Sequence, residues 1–443
     1  MTSVLIAAFV ISVVSRAVGA PSVPTPEQQY RNPDSFPRWS PDGKWLMYRR
    51  DASTVIVRPD GRGGRRLSGV LGWFPGGRIG LQGSRLEVYS ADRDGTHRRL
   101  VTRGEAPVWA PDGRRLAVQR YHDQSAATRL VIVEPGKRRE HLIGQPNCRC
   151  SVTDDQPVFS PDGRLLVFSR FVDAAPDFQR FELMVVPARG GKPRRLYRGE
   201  MSLPSWSRGA DRIGGMTFGA KRRPRVTIIP LKGSPRHIAS GKGGAWSPTK
   251  DLLAYVAGSS IVVVGRDGGE REHVFSSPKA SCAPDANVCT HLSWSPSGDR
   301  LLYQAGADIA VAELGRGTSR RIGTGGEPVW SPDGRKIAFA GIGCGPSQGI
   351  WISDLKQRKV ERISNHCTIT GTSGPDKIDG TPGADTIDGR NGPDQIYSYD
   401  GDDLIHARDG EGDTIDCGEG TDRVNADEHD VTQTNCETVA RTR

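Results

Sequence analysis

Apolar residues along the chain recur in short alternating runs, not in helical stripes. Leu46/Tyr48, Leu116/Val118, Leu166/Phe168, Leu253/Tyr255, Leu301/Tyr303 and Ile337/Phe339 each place apolar side chains two positions apart, the period of a half-buried strand. A common turn precedes these runs: Trp39-Ser40-Pro41-Asp42-Gly43, Trp109-Ala110-Pro111-Asp112-Gly113, Phe159-Ser160-Pro161-Asp162-Gly163, Trp294-Ser295-Pro296-Ser297-Gly298 and Trp330-Ser331-Pro332-Asp333-Gly334. Proline presets φ for the turn, and Asp and Gly complete it. Degenerate copies centre on Trp73, Trp206 and Trp246, and a second hairpin follows in most copies, as at 55–67, 86–100 and 309–322. The pattern predicts an all-β architecture of repeated small sheets.

The repeats run from Trp39 to Trp330, 291 residues in seven intervals, and a spacing of roughly 42 is that of a four-stranded propeller blade. Eight copies predict eight blades, or seven if one degenerate copy is not a blade. The repeated W-S-P-D-G with its following strand resembles the TolB-like propeller repeat, a relative of the WD40 blade, over roughly residues 36–364. That resemblance implies a fold and leaves the activity open. In an up-down blade the W-S-P-D-G turns all lie at one end of the ring. The long insertions at 121–127, 144–156, 171–182, 276–291 and 341–349 then share the opposite face. Loops carried on a rigid scaffold commonly bind, which makes Tyr121, His122, Asp123, Asp154, Asp155, Phe171, Asp173 and Asp177 candidate ligand-binding residues. A basic pair precedes the expected outermost strand in five copies: Arg65-Arg66, Arg98-Arg99, Arg138-Arg139, Arg194-Arg195 and Arg320-Arg321. Equivalent repeat positions form a rim, suited to an anionic polymer or to guarding exposed strand edges.

From Gly371 the period changes to nine. Units at 371–379, 380–388, 389–397 and 398–406 each carry Gly at position four (Gly374, Gly383, Gly392, Gly401) and Asp at position six (Asp376, Asp385, Asp394, Asp403). A ten-residue unit then places Asp413, and another nonapeptide places Asp422. Position eight is always branched and apolar: Ile378, Ile387, Ile396, Ile405, Ile415 and Val424. This resembles the G-G-x-G-x-D-x-U-x repeat of the repeats-in-toxin family, whose members bind Ca2+, and implies a parallel β-roll. Two units make one coil, so Asp376 stacks on Asp394 and Asp385 on Asp403, with glycine-turn carbonyls adding the oxygens a hard cation takes. The ten-residue unit is expected to interrupt stacking of Asp394 on Asp413.

Charge divides the chain at the same place. Residues 371–443 carry 18 acidic and six basic side chains, against 33 acidic and 55 basic in the preceding 370. Opposite charge on two contiguous stretches marks two domains. Gly and Pro, 55 and 31 of 443 residues, agree with a turn-rich β protein. The N-terminus is short, apolar and acid-free over residues 2–15, with Val18-Gly19-Ala20 ahead of an expected cleavage. The expected organisation is a signal peptide at 1–20, a propeller at 21–366 and a calcium-binding roll at 367–443, in a secreted or cell-surface protein with no transmembrane segment once cleaved. Eight cysteines fit an oxidising compartment. Cys417 with Cys436 is expected to cap the roll, Cys282 with Cys289 to close a loop, and Cys344 with Cys367 to bridge the domain junction. Cys148 and Cys150 stay unassigned.

Catalytic motifs are sparse. There is no H-E-x-x-H, phosphate-binding glycine loop or C-x-x-C, and Gly345-Pro346-Ser347-Gln348-Gly349 matches the nucleophile elbow without the helix that motif needs. The basic pairs lack interleaved aromatics, which argues against specific nucleic-acid recognition. The expectation is therefore a non-catalytic calcium-binding recognition protein whose propeller takes a protein, cell-wall or anionic polysaccharide ligand. The alternative is a polysaccharide lyase or hydrolase drawing carboxylates from Asp154, Asp155, Asp173 and Asp177 and a base from His122.

Overall fold

The computed structural model describes residues 29–441 apart from 32–33, 122–126, 138, 145–150, 175–177, 219–222, 270, 277–291, 343–347 and 365. The expected signal segment, His122, Asp123, Arg138, Asp177, Ser347 and five cysteines (Cys148, Cys150, Cys282, Cys289, Cys344) lie outside the described residues. Eight four-stranded antiparallel sheets form an eight-bladed propeller, each built from four consecutive strands. They occupy 34–68, 70–103, 105–142, 151–198, 201–240, 242–276, 292–324 and 326–362. In blade 1 the strands are Asp34–Trp39, Leu46–Arg50, Ser53–Val57 and Arg65–Ser68, from the innermost outwards. A parallel roll follows, described below.

The repeated turn explains its own residue types. Ser40 donates its hydroxyl to Asp42 (2.5 Å) and accepts the Trp45 amide (2.9 Å), while Asp42 accepts the Lys44 amide. Ser331 and Asp333 repeat the arrangement. Gly334 closes its turn at φ 67°, where any other residue meets the left-handed penalty. The aromatic that opens the motif has a further task. Trp73, Trp206, Trp294 and Trp330 donate their indole N–H to the carbonyls of Arg38, Val158, Ala245 and Ser293, in the innermost strand of the preceding blade.

Blade strands bury more than the alternation implied. Leu46, Met47 and Tyr48 are all buried, as are Leu116, Ala117 and Val118, because neighbouring blades cover both faces of a sheet. Leu46 and Tyr48 pack towards blade 8, and Met47 packs towards blade 2. Seven innermost strands carry a register shift three to four residues before the motif aromatic. At Phe36, Ala106, Gln156 and Glu327 the shifted residue has φ of 45–55°. Such bulges bend a strand and raise its twist, so the inner wall of the ring is bent at the same level blade after blade.

Two expectations are corrected. Residues 171–174 and 178–182, expected in a loop, are strand: Leu165–Ala174 and Phe178–Pro187 pair along their whole length, to Ala174↔Phe178. Phe171 lies opposite Phe181 with ring centroids 4.7 Å apart, a cross-strand aromatic pair that favours strand over loop. Two of the basic pairs open the outermost strands instead of preceding them, Arg65–Ser68 and Arg194–Arg198, Arg320-Arg321 lies inside Thr318–Thr324, and Arg98 precedes Arg99–Arg103.

If the indole bonds hold blade to blade, Trp206→Phe leaves the Val158 carbonyl short of a donor and costs about 1–3 kcal/mol. Trp246→Phe costs distinctly less, because the Trp246 N–H has no hydrogen-bond partner. Urea unfolding midpoints of the two variants check this.

Candidate metal centre

The roll consists of two parallel sheets facing each other across one row of aliphatic side chains. One sheet contains Cys367–Thr370, Asp385–Asp388, Leu404–His406, Arg423–Ala426 and Thr438–Arg441; the other contains Lys377–Asp379, Gln395–Tyr397, Thr414–Asp416 and Val431–Thr432. Ile378, Ile387, Ile396, Ile405, Ile415 and Val424 fill the space between them. Cys417 is disulfide-bonded to Cys436 at the far end. Cys367 is also disulfide-bonded, and its partner lies outside the described residues. A strand from the chain start, Gln29–Arg31, pairs with Cys367–Thr370 and extends the first sheet.

Position-six aspartates form two columns where the glycine turns meet the strands. Asp394, Asp413 and Asp430 accept, through Oδ1, the amides of Asp376, Asp394 and Asp413 one coil earlier, at 2.9, 2.8 and 3.0 Å. Asp403 and Asp422 likewise accept the amides of Asp385 and Asp403 at 2.7 and 2.8 Å, and Glu437 accepts that of Asp422. The second oxygens of Asp376 and Asp385 are taken by the amides of Thr372 and Thr381. Those of Asp394, Asp403, Asp413 and Asp422 are buried with no hydrogen-bond partner, as is one oxygen of Asp409.

The expected break at the ten-residue unit does not occur. Gln395–Tyr397 and Thr414–Asp416 stay in register, and Asp413 meets the Asp394 amide as its counterparts do. The extra residue is absorbed in the turn around Gly410 (φ 90°), whose amide is taken by Asp427. A slip in the strand instead would have turned Ile415 out of the core. Asp427, Asp430 and Glu437, which extend or brace the columns, fall outside the nonapeptide pattern because the last coils have irregular lengths. The signal for Asp430 and Glu437 is an acidic residue directly ahead of each short terminal strand, Val431–Thr432 and Thr438–Arg441.

The columns are electrostatically strained. Burial pushes the carboxyl groups of Asp385, Asp403 and Asp413 up to about 7 and that of Asp394 up to about 6, with stacked acidic neighbours adding to the effect. Asp422 and Asp430 are raised for the same reasons. Buried carboxylate oxygens without donors suit a hard cation, which takes oxygen ligands only. No three His, Cys, Asp or Glu side chains converge among the described residues, so a cation between turns must draw part of its shell from main-chain carbonyls. The glycines keep those carbonyls close. A Cβ on Gly392 would lie 2.5 Å from the Gly374 carbonyl carbon, and one on Gly401 equally near that of Gly383.

The propeller's candidates sit differently. Asp154 is buried and holds Arg170 through both oxygens at 2.6 and 2.9 Å. Asp34 and Arg50 make the same pair, also 16 residues apart, in blade 1. The Asp stands five before the motif aromatic and the Arg four after the strand's first buried Leu, so the pair is a repeat feature visible only when blades are aligned. Asp155 accepts from Gln119 (2.8 Å) and the Gln156 amide. Tyr121 donates to Glu105; Asp173 lies on the extended hairpin opposite Ser151 and Gln179. In the rim, Arg66, Arg195 and Arg321 are paired with Asp51, Glu182 and Asp308 of their own blades. Arg65, Arg98, Arg99, Arg139, Arg194 and Arg320 are exposed.

Residues 368–396 and 379–412 match the family model of the RTX calcium-binding nonapeptide repeat. The tail is a calcium-binding repeat domain. No curated protein matches the chain in sequence. Among solved structures, dipeptidyl peptidase 4 of Porphyromonas gingivalis is 15% identical with a TM-score of 0.50 over 75% of this chain. The chain spans 59% of that peptidase's length. An Agrobacterium tumefaciens protein assigned as TolB is 18% identical (52% of this chain, 100% of that one, TM-score 0.35). An oligogalacturonate lyase from Vibrio parahaemolyticus is 11% identical (76% of this chain, 93% of that one, TM-score 0.45). Likeness at these identities is one of fold. No helix among the described residues is long and apolar enough to cross a membrane.

Two outcomes follow, one for the calcium-free protein and one for the calcium-loaded roll. A carboxyl group raised in the folded state favours folding below its ordinary value and loses that advantage as pH climbs through the raised one. The roll without calcium is therefore protected at pH 4–5 and opens between about pH 6 and 8, read by hydrogen exchange of peptides from 367–441 after correction for intrinsic rates. Gly392→Ala, at φ 116° and in contact with the turn below, destabilises the calcium-loaded roll by about 1–3 kcal/mol in the same assay.

Proposed function

We propose that the protein is an exported recognition protein whose tail binds calcium through its aspartate columns and whose propeller presents a non-catalytic binding surface. The observation that carries the metal assignment is the set of buried, donor-free second oxygens on Asp394, Asp403, Asp413 and Asp422. With Asp376 and Asp385 opening the two columns, these side chains would hold the ion, and the turns containing Gly374, Gly383, Gly392 and Gly401 would supply carbonyl oxygen. Calcium supplies the positive charge that lets stacked carboxylates ionise out of water.

A binding role for the propeller is supported by what its carboxylates already do. Asp154 is committed to Arg170, and its blade 1 counterpart has the same partner type, which points to blade construction instead of acid–base chemistry. The face bearing Tyr121, Asp155 and the Phe171–Phe181 hairpin is the proposed contact surface, and the exposed rim arginines favour an anionic polysaccharide or cell-wall polymer.

Calcium titration calorimetry separates ligands from bystanders. Asp403→Asn weakens calcium binding roughly tenfold or more, since affinity follows the charge count of the ligand set. Asp388→Asn, at an exposed end of a strand, leaves it unchanged. Equal losses in both variants would count against the column assignment. On arrays of acidic and neutral polysaccharides, retention of the full chain on acidic members, weakening as salt rises, supports the propeller reading; turnover of a bound glycan would replace it with the lyase or hydrolase alternative.

A further inference from the structure

The chain closes its propeller in an unusual place. Because every blade uses four consecutive strands, a loop joins each blade to the next except at the seam between blade 8 and blade 1. There the two propeller ends leave as neighbouring strands of the roll. Gln29–Arg31 pairs antiparallel with Cys367–Thr370, in the register Gln29↔Thr370, Tyr30↔Ile369 and Arg31↔Thr368. Only residues 32–33 separate the first of these strands from blade 1, and only 363–366 separate blade 8 from the second.

Side chains around this junction tie blade 1, blade 8 and roll together. Asp34 is buried, grips Arg50, and accepts the hydroxyl of Ser364 at 2.5 Å. Ser364 in turn accepts the Ile350 amide of blade 8 at 2.8 Å. Glu327 of blade 8 accepts the Phe36 amide of blade 1. Buried Gln348 donates to Thr381 of the roll at 3.3 Å, and Thr381 donates to Asp385 at 3.0 Å. The Cys367 amide donates to the same Asp385, and His366 reaches Thr386 at 3.2 Å. Asp385, first of its column, thus touches both the strand that receives the chain start and the residue that meets blade 8.

We propose that the roll is the clasp of the propeller: by ordering the coils that carry Asp385 and Asp403, calcium completes the sheet edge on which Gln29–Arg31 pairs and so holds blade 1 against blade 8. This rests on the calcium assignment above. With the coils unformed, the start strand has no partner. The seam then keeps its lateral packing, Trp39, Leu46 and Tyr48 against Ala338, Ile350 and Ile352, and the hydrogen bonds of Phe36 to Glu327 and of Ser364 to Asp34, with no sheet connection among the described residues to limit its opening. In repeat arrays the terminal units are the weak ones and need capping; here the two terminal blades cap each other only while the clasp is shut.

The molecule carries its own reporter. All nine tryptophans lie between residues 39 and 351, so tryptophan fluorescence reads the propeller and not the roll. Thermal unfolding of the full chain is followed by that signal in calcium and in chelator, with calcium binding measured in parallel by calorimetry. The clasp predicts a propeller midpoint higher by roughly 5 °C at calcium a hundredfold above its Kd. It also predicts that Tyr30→Pro, which disrupts the start strand, and the milder Gln348→Ala each remove at least half of that shift while calcium still binds. Calcium binding with an unmoved tryptophan transition overturns the clasp and leaves the calcium assignment standing, as does a shift of equal size in both variants. Absence of calcium binding overturns both.

Discussion

A carboxylate taken out of water needs a compensating charge or a proton, and this protein stacks a whole series of them. The two columns that begin at Asp376 and Asp385 use one oxygen per side chain to accept a backbone amide from the coil below. That geometry keeps the coils in register, and it forces the second oxygens of Asp394, Asp403, Asp413 and Asp422 into an interior that offers no donor. The aliphatic row from Ile378 to Val424 is only one residue wide. A core so thin cannot offset mutual repulsion of this kind, so the cation belongs to the architecture of the roll.

The propeller solves the opposite problem. Its sheets are buried on both faces, its turns satisfy their own polar groups, and its indoles bridge from blade to blade. Its weak point is topological: a ring of contiguous blades has one seam that the chain does not cross. Placing the two strands flanking that seam side by side in the roll puts the part whose charges answer to calcium and pH next to the least connected part of the propeller. Two parts of opposite charge and different chemistry are thereby joined through one pair of strands.

Much of this was legible in the residues. The W-S-P-D-G turn encodes a hydrogen-bond pattern so local that the five fuller copies are each recognisable alone, and a period near 42 leaves little besides a propeller. The nonapeptide tail is equally explicit, because glycine at position four and Asp at position six meet their own counterparts in the next coil, so the demand repeats in every unit. What escaped were features set by distant parts of the chain. The strand Gln29–Arg31 carries no pattern of its own and acquires meaning only from Cys367–Thr370. Asp154 read as a free carboxylate because 144–156 looked like a loop, whereas Ser151–Phe159 is a strand that sets Asp154 opposite Arg170, 16 residues on. The uninterrupted columns beyond Asp403 escaped because a turn can absorb one residue while the strands on either side keep their register.

The central claim is that cations and protons compete for the same buried oxygens. Calcium titration calorimetry of the full chain at pH 6.5 and at pH 8.5, each in two buffers of different ionisation enthalpy, measures that competition directly. With Asp385, Asp403 and Asp413 near 7, binding at pH 6.5 should release protons to the buffer, and at pH 8.5 it should release almost none. Calcium binding with the same proton count at both pH values would show that the ion sits elsewhere, and the account of the aspartate columns would be wrong.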